Sequence, residues 1–136
     1  MLELKPCADF GNPLSVTRVL PFRRQSLRAK RTFVDPHDPT SELKLYVTVG
    51  IDPADGKVGE IFARSGGKAG KNSMMHRMLD AGAIMVSHLL QRGMTLEQIA
   101  AAIGNDTPLA EVVKIAIELQ AEIDAWPPGV ARAAAT

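Results

Sequence analysis

The loop Ser65-Gly-Gly-Lys-Ala-Gly-Lys71-Asn72-Ser73 is the stretch of this 136-residue chain that comes nearest to a chemical motif. It falls between a strand pattern and a helix pattern, as a phosphate-binding P-loop does, and Gly70-Lys71 fit that motif. Ser65 stands where the motif has glycine and Asn72 where it has serine or threonine, so the hydroxyl that would hold magnesium is missing. Nucleoside triphosphatase chemistry does not follow. Simple anion binding does fit, because free amides at a helix start, with Lys68 and Lys71, suit a phosphate. The plain alternative is a solvated connector.

His76 and Asp80 are one helical turn apart, and Ser87 returns to the same face. A hydrolase triad is excluded by length: eleven residues at about 1.5 Å each put His76 and Ser87 about 16 Å apart, beyond hydrogen-bond reach. His88 points away from His76, so the two cannot share a metal on one helix. Cys7 is the only cysteine, which rules out an intrachain disulfide and a thiolate metal cage. Of the six methionines, Met75, Met78 and Met85 fall on the apolar stripe of a helix and are expected to fill the core. Tyr46, on a strand beside basic residues, has the chemistry to stack a nucleobase, although a packed strand residue is the plainer expectation.

Charge is unevenly spread. Residues 1–31 carry Lys5, Arg18, Arg23, Arg24, Arg28, Lys30 and Arg31 against Glu3 and Asp9, a net +5, which leaves −4 for residues 32–136. A basic arm ahead of a mildly acidic body suits an anionic partner such as nucleic acid. Pro6, Gly11, Pro13 and Pro21 mark that arm as flexible. The chain as a whole has 46% apolar and 23% charged residues, enough for one packed domain. No apolar run reaches the roughly 20 residues of a membrane span, and the first residues lack the order of a secretory signal. A cytoplasmic location is expected.

The positioning elements follow from period and punctuation. Leu43, Leu45, Val47 and Val49 alternate with polar neighbours, Asp52-Pro-Ala-Asp-Gly-Lys57 is a turn, and Val58–Arg64 returns, so a hairpin is predicted over 43–64. After Ser65 the period becomes helical: Met75, Met78, Leu79, Gly82, Met85, Val86, Leu89 and Leu90 share one stripe, capped at its start by Asn72 or Ser73 and ending at Gly93. Gly82 in mid-helix implies a close crossing. Thr95-Leu-Glu-Gln98 is a capping box opening a second helix, and Pro108 opens a third. These give an α+β domain: a small antiparallel sheet against two or three helices over 73–92, 95–103 and 108–123. The expected limits are 1–31 for the arm, 32–126 for the domain and 127–136 for a frayed tail. The stretch 95–123 also looks like a helix-turn-helix, but its second helix would present Glu111, Lys114 and Glu118, which suits base edges poorly.

Leu45-Tyr-Val-Thr-Val-Gly50, Asp55-Gly-Lys57, Gly59-Glu-Ile-Phe62, the glycine-lysine loop and Asp80-Ala-Gly-Ala-Ile-Met-Val-Ser-His-Leu-Leu-Gln-Arg-Gly-Met-Thr-Leu-Glu-Gln-Ile99 together resemble the TSCPD domain. The resemblance spans about residues 20–120, and Leu20-Pro-Phe-Arg-Arg24 is similar to the leader of stand-alone copies. That module forms the carboxy-terminal region of adenosylcobalamin-dependent ribonucleotide reductases. The large reductase barrel has no counterpart here, so no catalytic residue carries over. The cysteines many relatives hold in or after the domain are missing from the matching region, and neither a zinc site nor a dithiol relay is expected.

The resulting expectation is a non-catalytic binding or accessory module, without cofactor or metal, that acts with a ribonucleotide reductase or another protein and pairs with itself through its apolar helix stripe. The alternative is nucleic-acid binding through Arg23, Arg24, Arg28, Lys30, Arg31, Lys68 and Lys71.

Overall fold

The computed structural model describes residues 20–21, 24–66 and 73–127. Three strands, β1 (Ser26–Val34), β2 (Glu42–Asp52) and β3 (Lys57–Gly66), form an antiparallel sheet in the order β1-β2-β3. Three helices follow: α1 (Met74–Gln91), α2 (Leu96–Ile103) and α3 (Pro108–Asp124). This is the expected α+β architecture, with the hairpin slightly longer than 43–64 and every helix end within one residue of its expected position.

β1 is the main departure. Composition alone places residues 1–31 in a flexible arm, yet Ser26–Val34 pairs with β2 from Ser26↔Gly50 to Val34↔Glu42. The boundary drawn at 31/32 therefore falls inside a strand. Leu27, Ala29 and Phe33 turn toward the helices, while Arg28, Lys30 and Thr32 face the other way. That alternation is masked in the sequence because Arg31 takes an inward position and Ala29 is small. Arg31 stays solvated there by reaching past the sheet to Glu118 of α3, 3.6 Å away.

The core is built on β2. Leu45, Val47, Val49 and Ile51 are buried on one face, against Ile61 and Ala63 of β3 and Val112, Val113, Ile115 and Ala116 of α3. Burying each such aliphatic side chain contributes about 1.5–3 kcal/mol, so this face fixes which side of the sheet the helices cover. α3 thus spends its apolar side on the sheet and leaves Lys114 and Glu118 outward.

α1 runs along β3, the edge strand, and replaces a fourth strand. Ser87 Oγ accepts from Ile61 N–H at 2.8 Å and lies 3.1 Å from the Ile61 carbonyl oxygen. Gln91 Nε2 donates to the Gly59 carbonyl at 3.1 Å. Gln120 of α3 accepts from Val58 N–H at 2.7 Å. Backbone groups that an open edge would leave unpaired are met by side chains instead. Ser87, considered for a triad, is therefore a structural residue.

The same placement corrects the methionine expectation. The buried row of α1 is Leu79, Ala83, Val86 and Leu90. Met75, Met78 and Met85 are 39%, 66% and 67% exposed, and Met74 is 71% exposed. The apolar stripe is two rows wide, and an edge helix presses only one of them onto the sheet. Gly82 does mark a close crossing: a Cβ there would lie 3.0 Å from both methyl carbons of Leu109 on α3. Caps follow the expected residues. Ser73 Oγ accepts from His76 N–H, Thr95 and Gln98 form the reciprocal box, and Gly93 leaves α1 with φ 101°.

Candidate functional site

The face of the sheet turned away from the helices carries a pattern of its own. Pairing lays three rows across it: Arg28–Thr48–Phe62, Lys30–Tyr46–Arg64 and Thr32–Lys44–Gly66. Arg28, Lys30, Lys44, Phe62 and Arg64 are all exposed, and no described helix covers them. A strand that buries one face alternates polar outward residues with apolar inward ones. Here the exposed outward residues include four cations, Arg28, Lys30, Lys44 and Arg64, and the ring of Phe62.

A cavity of about 740 Å³ opens on this face. Arg28, Lys30, Tyr46, Thr48, Phe62 and Arg64 line its sheet side, and His76 and Asp80 of α1 line it beyond β3. Ligand pockets for small molecules typically hold about 300–1,000 Å³. Tyr46 organises the floor. Its ring lies against Gly66, where any Cβ would collide with it, and between Lys30 Nζ at 5.5 Å and the Arg64 guanidinium at 5.8 Å from its centre. Such cation–π contacts are worth about 0.5–1 kcal/mol each at exposed sites, enough to bias both cations toward the cavity. Phe62 is 54% exposed and has no such cover, so it is the ring available for stacking.

One end of the face is closed. Glu60 is buried, paired with Arg24, whose guanidinium also donates to the Pro21 carbonyl at 2.6 Å. Gly50 makes room for this, since a Cβ there would press into the Glu60 side chain. A buried carboxylate needs such a partner.

The basic residues expected to act together are therefore divided. Arg28 and Lys30 share the cavity. Arg24 is engaged with Glu60, and Arg31 lies on the helix side of the sheet. Arg23, Lys68 and Lys71 lie outside the described residues. Sequence reasoning missed Phe62, Arg64 and Lys44. The alternation Glu60-Phe62-Arg64 carried the signal, but it points to a shared surface only once β1 supplies Arg28 and Lys30 alongside.

His76 and Asp80 are not hydrogen-bonded to each other, and among the described residues the buried Nδ1 of His76 and the buried Oγ of Ser65 have no hydrogen-bond partner. Among the described residues no group of three or more His, Cys, Asp or Glu is placed to hold a metal. Nor is any described helix long and apolar enough to cross a membrane.

A family model for the TSCPD domain matches residues 19–114. The chain belongs to the TSCPD domain family. The match takes in all three strands, α1, α2 and the start of α3, so the cavity lies wholly within the TSCPD domain. The 136 residues hold no large catalytic domain beside it. Comparison with the curated proteins and with the solved structures found no match.

Proposed function

We propose that this TSCPD domain is a non-catalytic binding module whose open sheet face holds single-stranded nucleic acid. One observation carries it: an exposed aromatic ring, Phe62, sits in a cavity with three cations, Arg28, Lys30 and Arg64, on a face no described helix covers. Non-specific single-strand binding combines those two features, cations that follow the phosphates and rings on which bases stack. A duplex suits the face less well, because its bases are already stacked on one another and the exposed ring would have no partner.

The test is fluorescence anisotropy of a labelled oligothymidylate titrated with the protein. Binding that weakens steeply with added potassium chloride, and weakens further in Phe62→Ala, supports the assignment. Absence of binding at low salt rejects it.

A second role, as an accessory module for a larger enzyme such as a ribonucleotide reductase or as half of a homodimer, is favoured by a different surface. Met74, Met78 and Met85 form an exposed row along α1, beside the half-exposed Ile84. Exposed apolar rows of this kind mark protein contacts, and methionine adapts to varied partners. Light scattering separates monomer from dimer, and co-purification with a reductase tests the other partner.

A further inference from the structure

The two edges of the sheet differ in how their backbone is met. Along β3, side chains of α1 and α3 take up backbone groups. Along β1 the phase of the ladder is fixed at both ends. Ile51 N–H donates to the Gln25 carbonyl at 2.9 Å and Asp35 N–H to the Ser41 carbonyl at 3.0 Å, so the odd-numbered residues of β1 bond to β2. The N–H and C=O groups of Ser26, Arg28, Lys30, Thr32 and Val34 therefore point away from the sheet. Among the described residues only one of these groups has a hydrogen-bond partner: the Lys30 carbonyl accepts from Arg31 Nη1 at 3.0 Å. That guanidinium is steadied by Glu118 at 3.6 Å, a half-exposed pair and so a weak hold. β1 is nine residues long, has no proline and keeps a regular register, so charge is its main guard against pairing.

We infer that this edge docks an extended acidic segment of another protein, which joins the sheet as a fourth strand. In strand addition the backbone bonds supply affinity, and alternate side chains select the partner. On the open face a new strand lies beside Arg28 and Lys30, and on the helix face beside Leu27, Ala29 and Phe33. A strand that alternates carboxylates with apolar residues complements both rows. A second copy does not. Two β1 strands related by a two-fold axis run antiparallel, and the axis can pass through Ala29, Lys30 or Arg31 with the outward groups still bonded. Those registers set Arg28 opposite Lys30, Lys30 opposite Lys30, and Arg31 opposite Arg31. Like charges directly opposite destabilise a strand pair. Docking at this edge needs no nucleic acid on the open face.

The test is fluorescence anisotropy of the full chain with a labelled nine-residue peptide, the length of β1, that alternates valine and glutamate. Seated on β1 with its glutamates on the open face, the peptide turns the glutamate N–H groups toward the edge. A matched peptide N-methylated at every glutamate keeps the charge and loses those donors. The plain peptide binds, whereas the methylated peptide and a valine–lysine peptide bind at least about tenfold more weakly. Thr32→Pro removes an outward N–H but no bond to β2, which an edge strand tolerates. It weakens the plain peptide by about tenfold and leaves Arg28, Lys30 and Arg64 in place, so oligonucleotide binding is read separately. Equal binding of the plain and methylated peptides reduces the contact to charge attraction and overturns strand addition, whether or not the proline variant folds. Absence of binding by the plain peptide overturns it as well. A dimer in light scattering that Thr32→Pro dissolves assigns the edge to a second copy and overturns the acidic partner.

Discussion

Replacing Arg28, Lys30 and Arg64 together with alanine separates a phosphate-binding face from an ordinary solvated one. Four cations stand on the open face once Lys44 is included. The slope of log affinity against log salt is about −0.7 per neutralised phosphate for a single strand, so full engagement gives about −2.8. Between roughly 50 and 200 mM salt that slope weakens binding about fiftyfold. The triple variant keeps Lys44, so its slope falls to about −0.7 and the same salt change costs less than about threefold. The substitutions also remove both cations from the Tyr46 ring, at about 0.5–1 kcal/mol each. A domain with about 5–15 kcal/mol of stability tolerates that loss, and a cooperative thermal transition by circular dichroism checks it. Arg31→Ala is the matched control: it removes one positive charge from the helix side, beside Glu118, and leaves the slope unchanged. Anisotropy titrations over a salt series supply all three slopes. An unchanged slope in the triple variant, or an equal fall in Arg31→Ala, would refute phosphate binding by this face.

Phe62→Ala weakens oligonucleotide binding by about 1–3 kcal/mol, the usual worth of one stacked base, while Phe62→Tyr retains it; since the ring is 54% exposed, the melting temperature changes little in either. Ser87→Ala leaves the Ile61 N–H without its acceptor under α1 and destabilises the fold by about 1–3 kcal/mol in urea titration. Gly82→Val forces Leu109 aside and costs about 1–3 kcal/mol in the same assay, whereas Gly82→Ala is close to neutral because its helix propensity gain of about 1 kcal/mol offsets a small shift of the leucine.

What could be read in the sequence depended on how local the deciding forces were. Ser73, Thr95 with Gln98, and Gly93 act within a few residues of themselves, and both ends of α1 and the start of α2 followed from them. β2 was legible because its Leu45, Val47, Val49 and Ile51 alternate without interruption. β1 was not, since its inward row contains Arg31, and only Glu118, eighty-seven positions later, makes that arrangement tolerable. The methionine row of α1 misled for a related reason: periodicity shows how wide an apolar stripe is, but not how much of it a neighbour covers. The cavity depends on both failures. Arg28 and Lys30 meet Phe62 and Arg64 only across β2, and Asp80 joins them only because α1 lies along β3.

The side-chain closure of β3 gives the sheet a direction of growth. Ser87, Gln91 and Gln120 occupy backbone groups that an incoming strand would need, so nothing can be zipped onto that margin without first prising helices away. The outer margin of β1 carries no described strand, and any segment added there, by design or by another chain, would enlarge the cationic side of the platform without touching the wall that bears Asp80. The sheet is thus closed to extension along one margin and left open to it along the other.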